Sequence, residues 1–460
     1  MKVTTDAAGI VLTDLDQRLQ DTDQLSFGLE CKNFFLFEFV HITDTAGQAI
    51  ITIPQELLAT YIDIALHDQQ KILRPSGIDH RNISRNFIQE HYAHSILEHL
   101  KEFLLKFCVI DFLYEQLQSH KIHFGGTPKL RSCSLAYDTE AKYIFDVYLI
   151  EQITIAEWKL FPFKSPKRKN YKDLDRQVEH FIEEELANAQ KSTFDTVQLH
   201  DWILFSLAPL DHEDNTLKYP IQTLYWFKVA DEEIESPLKE LFLGKKLHET
   251  IITHNRGLQQ FLSNSLVSNY AFAIKILTIV SHNHVCFHQF KSFFKIKTQK
   301  DLHKKLIELF SYRNDISQRR AIVEEALKVL LNKHSFTIPM HLIAIQKNEI
   351  LSNIKQIPDY NVYKRQADFD LRLQELAHKN TVEMVLIDQL AIYEGIVITM
   401  QDMKGYLNLT KRARLRDFLY FDQPKTEVDG QQIPISVQQL KTYVLREKTI
   451  NYVTYHLTKK

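Results

Sequence analysis

Glycine is scarce in this chain, with 11 glycines among 460 residues, or about 2%, whereas an average protein contains about 7%. Glycine adopts positive backbone φ angles more readily than other residues, so few tight turns that require such angles are available. Long helices are therefore favoured over closely spaced turns.

The apolar content predicts a globular protein, since 44% of the residues are hydrophobic and 11% are aromatic. Such a chain buries enough apolar surface to offset the entropy lost on ordering, which excludes disorder. At about 150 residues per domain, the length predicts about three domains. The net charge of −2 excludes broad attraction to nucleic acid, and we expect no specific nucleic-acid partner.

Cysteine use indicates a reducing compartment. The four cysteines are too few and too scattered for a disulfide scaffold, and a cytoplasmic location fits them best. The most apolar stretch, 270–280, is short and contains Lys275, so neither a transmembrane helix nor a membrane partner is expected. The first residues, MKVTTDAAG, have no apolar core, and we do not expect a secretory signal there.

Residues 1–150 are predicted to form one α+β domain. Apolar residues recur every three or four positions across 82–120, which is typical of a long helix that Asn82 or Ser84 caps. The other predicted elements of this domain are strands at 34–40 and 49–53, a helix at 56–72 and an alternating strand segment at 133–147.

The rest of the chain divides by composition. Residues 151–192 are predicted to be a linker and a helix, because two prolines and a basic cluster precede a helical pattern. Strand-like runs then predict an inserted β-rich domain at 193–283, and helical periodicity predicts a helical domain at 284–460. Within it, the segment 411–434 fits no predicted element and is a candidate docking element.

No common phosphate-binding, dinucleotide-binding, hydrolase or zinc-protease motif is present. One pattern suggests a metal site: His282, His284, Cys286 and His288 alternate and would share one face of a strand. Neighbouring residues on one strand face lie about 6.5–7 Å apart, so all four converge poorly on one ion. We therefore expect a solvated, histidine-rich edge and no bound metal, with zinc as the alternative.

Residues 52–96 resemble the N-terminal ribosome-binding domain of bacterial trigger factor, a ribosome-associated chaperone. That family has a strand, a helix and a loop with the motif G-F-R-x-G-K-x-P, which leads into a long helix with a tyrosine eight residues further on. Here Gly77 matches the first glycine, Ser84 stands at the proline position and Tyr92 at the tyrosine position. The family's later G-A-P resembles residues 126–128.

The resemblance implies a ribosome-docking loop, which it places at Gly77, Ile78, Asp79, His80, Arg81 and Asn82. In the family the position of Asp79 holds an arginine. Because docking to ribosomal RNA needs positive charge near the phosphates, Asp79 predicts weak or absent ribosome binding.

The middle and end of the chain are also similar to this family. Residues 201–207 and 270–279 resemble the first and last strands of its FKBP-type prolyl isomerase domain, and 376–407 resembles its C-terminal arm segment. The isomerase pocket would fall at Ser206, Leu207, Leu238 and Phe272. Most rings of the aromatic cup that twists an X-Pro bond are missing there, so we expect the scaffold with little or no catalysis.

The resemblance therefore implies a multidomain α+β fold, with a ribosome-binding-like domain, an inserted degenerate FKBP-like domain and helical C-terminal arms. It implies an ATP-independent chaperone without a cofactor, whose partners are unfolded or nascent polypeptides. Candidate client-binding residues, each of which fits ordinary helix core as well, include Phe290, Phe293, Phe294, Tyr360, Tyr363, Tyr406 and Phe418. Two alternatives remain open: an active prolyl isomerase, and a non-catalytic adaptor that has lost ribosome docking.

Overall fold

The structure is a computed structural model. It describes residues 34–73, 84–167, 173–191, 195–211, 213–217, 221–232, 237–263, 270–313, 316–428 and 430–459. Helices and antiparallel sheets are both abundant in these ranges, so the predicted α+β class is confirmed.

The N-terminal part is a four-stranded antiparallel sheet in the order β1-β2-β4-β3, packed with three helices. Its elements are β1 (Leu36–Thr43), β2 (Ala46–Ile53), α1 (Gln55–Leu73), α2 (Arg85–Leu104), α3 (Ile110–Ser119), β3 (Lys129–Ser134) and β4 (Ala141–Tyr148). A π-helical turn, Leu105–Val109, joins α2 to α3, so the predicted long helix is confirmed. Ser84 caps it, since its hydroxyl accepts a hydrogen bond from the Phe87 amide.

A five-stranded antiparallel sheet forms the middle of the molecule, in the order β13-β6-β5-β8-β7. The elements of this part, after a 3₁₀ turn at Trp158–Leu160, are α4 (Leu174–Lys191), β5 (Trp202–Pro209), β6 (Thr223–Lys228), α5 (Pro237–Phe242), β7 (Thr250–Thr253), α6 (Arg256–Leu262) and β8 (Phe272–Val280). The fifth strand, β13 (Ile435–Ser436), comes from the far end of the chain. In it Ile435 pairs with Trp226.

Strand β5 is buried on both faces. Phe205 and Leu207 join the core of the N-terminal sheet and helices, whereas Trp202 and Leu204 join the core of the helical part. Because successive side chains on a strand alternate between faces, the sheet is a layer between two cores. The predicted segments 1–150 and 193–283 thus share an apolar core, and their boundaries stay predictions.

Polar contacts also connect these two segments. The ring nitrogens of His99, on α2, lie 3.0 Å from the Ser263 hydroxyl and 3.1 Å from the Tyr270 hydroxyl. The Tyr270 ring also packs on Phe103 of α2, with 4.6 Å between ring centroids. The β-rich part therefore sits directly against the long helix.

The remainder is mostly helical. Its elements are α7 (Phe287–Phe294), α8 (Gln299–Phe310), β9 (Tyr312–Arg313), β10 (Ile316–Ser317), α9 (Gln318–Leu331), α10 (Met340–Ile354), α11 (Tyr360–Tyr363), α12 (Phe369–Tyr393), α13 (Met400–Leu409), α14 (Ala413–Arg416), β11 (Glu427–Val428), β12 (Gln431–Gln432) and, after β13, α15 (Val437–Thr458). The helical periodicity predicted for this part of the chain is confirmed. Among the described helices, none has the length and apolar content needed to span a bilayer.

Helix α13 lies unusually close to α7. A Cβ atom at Gly405 would lie 2.8 Å from Cβ of Phe293, nearer than real Cβ contacts allow. Glycine at this position therefore permits the two helices to pack directly, and it buries Phe293 between them.

Candidate functional site

The two helices α10 and α12 form a hairpin that protrudes from the apolar core. Its base is buried against residues that follow β4. The apolar residues that form this base include Ile150, Ile153, Leu342, Ile343, Leu373 and Ala377. Residues 355–376, which we call the arm tip, are exposed or half-buried apart from Leu373, which packs in the base.

Large apolar side chains are exposed on the arm tip. They are Ile357, Val362, Tyr363, Leu371 and Leu376, with exposed fractions from 43% for Leu376 to 64% for Val362. Burying their exposed apolar surface on a partner is favourable by about 25 cal/mol per Å². The tip therefore offers several apolar contacts to another molecule.

Charged residues of both signs surround these apolar side chains. Arg372 pairs with Asp368 at 2.7 Å, and Lys364 lies over the Tyr360 ring at 5.9 Å. Lys347, on α10, pairs with Asp370 at 3.7 Å. Exposed apolar side chains with a polar rim are typical of interaction sites.

The predicted client-binding residues divide into two sets. Five of them are buried in the core of the helical part: Phe290, Phe293, Phe294, Tyr406 and Phe418. Tyr360 is half-buried and Tyr363 is exposed, both in the arm tip. The sequence prediction selected aromatic rings and therefore missed the aliphatic tip residues Ile357, Val362, Leu371 and Leu376. Their signal in the sequence was isolated aliphatic residues in a polar stretch.

The predicted isomerase pocket positions are all buried. Leu207, Leu238 and Phe272 belong to one apolar core. Ser206 is buried as well, but it lies on the opposite face of β5 from Leu207. The structure thus brings three of the four positions together inside a packed core and separates the fourth from them.

The predicted docking loop, Gly77–Asn82, lies outside the described residues. Helix α2 begins directly after it, at Arg85. Tyr92, at the tyrosine position of the resemblance, packs partly buried against the N-terminal core.

The histidine-rich segment is not an edge strand. Strand β8 ends at Val280, His282 and His284 lie in bends, and His288 is within α7. His284 is buried, so the predicted solvated edge is wrong. In the described part of the chain, no group of three or more histidine, cysteine or acidic side chains is arranged to hold a metal ion.

An ion pair between a half-buried arginine and a buried carboxylate fixes this segment. Both Glu185 oxygens, from α4, accept from the Arg412 guanidinium, at 2.6 and 3.1 Å. Arg412 also donates to the carbonyls of His282 at 3.0 Å and Asn283 at 2.9 Å. Burial, helped by the charge of Arg412, lowers the pKa of His282 to about 4, so this ring is neutral at pH 7.

The segment 411–434 thus has a structural role that the sequence did not reveal. Lys411 donates to the His284 carbonyl at 3.0 Å, and the amides of Tyr420 and Phe421 both donate to Glu447 at 2.7 Å. These contacts attach the segment to α15 and to the turn after β8. No local pattern marks such pairs, because the partners are far apart in the chain.

The fold and this surface define a multidomain α+β protein with a protruding helical hairpin that exposes apolar side chains. No protein-family model and no curated protein matches the chain. A solved structure of the trigger factor chaperone, described for promiscuous substrate recognition in folding and assembly, is similar over 92% of this chain and 100% of its own. The identity is 14% and the TM-score 0.35, which is too low to assign the chain to that family.

Proposed function

We propose that this protein is an ATP-independent chaperone that binds unfolded or nascent polypeptides through the arm tip. The observation that carries the proposal is the group of exposed apolar side chains on the tip, rimmed by charges of both signs. Unfolded chains expose apolar side chains in no fixed order, and scattered apolar contacts suit them. The order of elements along the sequence, which resembles trigger factor, supports the same role.

The proposed client contacts are tested by removing them together. Replacing Val362, Tyr363 and Leu371 with serine is expected to weaken binding of a denatured client about tenfold or more, because each loses apolar contact area. Light scattering of an aggregating client, with and without ATP, measures the effect. The free energy of unfolding of the variant should differ from that of the unmodified chain by no more than about 0.5 kcal/mol, since these side chains are exposed.

A matched control removes exposed apolar side chains elsewhere. Leu36, Leu160 and Ile252 are exposed to 65%, 69% and 57%, outside the arm tip, and their replacement with serine should leave client binding unchanged. An equal loss of client binding in the two triple variants would contradict a client-binding surface at the arm tip. A strict ATP requirement, or no suppression of aggregation at equimolar protein, would contradict the proposed function itself.

We propose further that the β-rich part does not catalyse prolyl isomerisation. Leu207, Leu238 and Phe272 are packed inside a core, so an X-Pro segment would have to displace them to be twisted. Refolding of a proline-limited substrate, whose uncatalysed phase takes tens of seconds or more, should proceed at the background rate. Acceleration in proportion to protein concentration, abolished by Phe272→Ala, would instead establish an active isomerase.

Ribosome docking and a cytosolic location are further parts of this proposal. Weak docking rests on Asp79, which stands where the resembling family has arginine. The cytosolic location rests on the few, scattered cysteines, of which Cys133 and Cys286 are free thiols.

A further inference from the structure

A pocket of about 460 Å³ lies where the α7–α8 turn, α9 and α15 meet. Its lining includes Lys295 and Lys297 of the turn, Arg319 of α9 and Thr454 of α15. The volume falls in the range of about 300–1,000 Å³ that is usual for small-molecule sites. Neither the arm tip nor the buried isomerase positions contribute to it.

A buried guanidinium faces this pocket. Arg319 is 1% exposed, and it donates to the hydroxyl of Thr454 at 3.1 Å and to the side-chain oxygen of Asn451. Its Nε is buried without a hydrogen-bond partner. Among the described residues, no carboxylate lies within ion-pair distance of it. The charges of Glu308 and Glu447 act on Arg319 from beyond that distance. Arginine cannot release its proton in a protein, and a buried guanidinium without a directly paired carboxylate is unfavourable.

Further cations line the same pocket. Lys305, on α8, is paired with Glu308 at 2.8 Å, and burial lowers the pKa of its amine to about 8, so it stays charged at pH 7. The five lining cations are Lys295, Lys297, Lys304, Lys305 and Arg319, and the lining carboxylates are Asp301 and Glu308. Five positive charges against two negative ones leave a net charge of plus three.

The N-terminal end of α8 adds to this field. Thr298, its N-cap, lines the pocket, and its hydroxyl is bonded to both the amide and the carboxylate of Asp301. The N-terminus of a helix carries a partial positive charge and favours anions. Backbone and side chains thus contribute positive potential at one place.

We propose that this pocket binds a ligand with two linked phosphate groups. A phosphate group carries about −1.5 to −2 charges at pH 7, so two groups balance the net charge where one does not. The planar guanidinium of Arg319 suits phosphate oxygens, and its buried Nε has no hydrogen-bond partner within the protein. Inorganic pyrophosphate is the simplest ligand with this chemistry.

Calorimetric titration of the full chain with pyrophosphate, at fixed ionic strength, tests the proposal. Lys304→Gln is expected to weaken binding about tenfold, the loss of one charge-assisted contact. Lys304 is 65% exposed, so this variant should fold normally. The matched control is Lys300→Gln, an exposed lysine on the same helix that does not line the pocket, and it should leave the affinity unchanged.

A second variant probes the buried cation directly. Pyrophosphate should raise the melting temperature of the unmodified chain, and Arg319→Met should abolish that increase whatever its own melting temperature. Linked phosphate groups occur both in nucleoside diphosphates and in inorganic phosphate chains. Titrations with ADP and with tripolyphosphate distinguish these two ligands. Tighter binding of ADP than of pyrophosphate would indicate a nucleoside diphosphate, and tighter binding of tripolyphosphate a bare phosphate chain.

Three results would overturn the proposal. They are no heat of binding at millimolar pyrophosphate, equal weakening by Lys304→Gln and Lys300→Gln, and equal affinity for sulfate. The proposal is independent of client binding by the arm tip, so either can fail without the other.

Discussion

Replacing Arg412 with alanine is expected to lower the free energy of unfolding by about 3–5 kcal/mol, because it leaves a buried carboxylate without its counter-charge. Glu185 is 3% exposed, and its other hydrogen-bond donor here is the Val285 amide, at 2.6 Å. The carbonyls of His282 and Asn283 also lose their Arg412 donor. Two separate parts of the chain, α4 and the turn after β8, would lose their common partner at the start of α14.

Urea denaturation followed by tryptophan fluorescence measures this loss, since Trp202 and Trp226 lie in the adjoining sheet. Arg416→Ala is the control on the same segment. Arg416 is exposed and donates to the Thr410 carbonyl at 3.1 Å, so its removal should cost no more than about 1 kcal/mol. If Arg412→Ala lowers the free energy of unfolding no more than Arg416→Ala does, water replaces the guanidinium. The Arg412–Glu185 pair then does not hold α4 and the turn after β8 together.

Phe418→Ala is expected to destabilise the protein by about 3–5 kcal/mol, the usual cost of removing a large ring from a packed core. Phe418 is fully buried, with its ring centroid 5.4 Å from that of Phe290 and 4.8 Å from that of Phe294. The change leaves a cavity between α7 and the segment after α14. Thermal and urea denaturation measure it.

This variant also separates core from client surface, since Phe418 is among the predicted client-binding residues. Tyr363→Ala is the matched change at an exposed ring and should alter the stability by no more than about 0.5 kcal/mol while weakening client binding. If Phe418→Ala instead keeps full stability and loses client binding, the ring reaches the surface in solution and the assignment to core is wrong.

Local patterns predicted most elements because the spacing of apolar residues in a helix or strand is visible over a few neighbouring positions. The helix predicted within residues 151–192 is Leu174–Lys191, and the helical periodicity predicted for residues 284–460 includes the helix Met340–Ile354. The histidine-rich segment after β8 was misjudged as a solvated strand edge because its residues alternate as they would in a strand. There, contacts with a distant arginine decide the backbone path, and a local pattern does not contain them.

The candidate site was less predictable than the fold, for a physical reason. An aromatic residue on a helix favours burial as much as it favours client contact, and residue type alone does not say which neighbour covers it. Phe290 and Tyr363 illustrate both outcomes, one buried and one exposed. The positive pocket gave no local signal either, since Arg319 and Thr454 are far apart in the chain.

The pairing of β13 with β6 bears on the order in which this protein acquires its structure during synthesis. Ile435 pairs with Trp226, so roughly 200 residues must leave the ribosome after β6 before the five-stranded sheet is complete. At about 5–20 residues per second, translation needs about 10–40 s for that stretch. Until then β6 has an open edge with exposed amides and carbonyls, a known starting point for strand-to-strand aggregation. The newly made chain itself therefore passes through a period in which it needs protection.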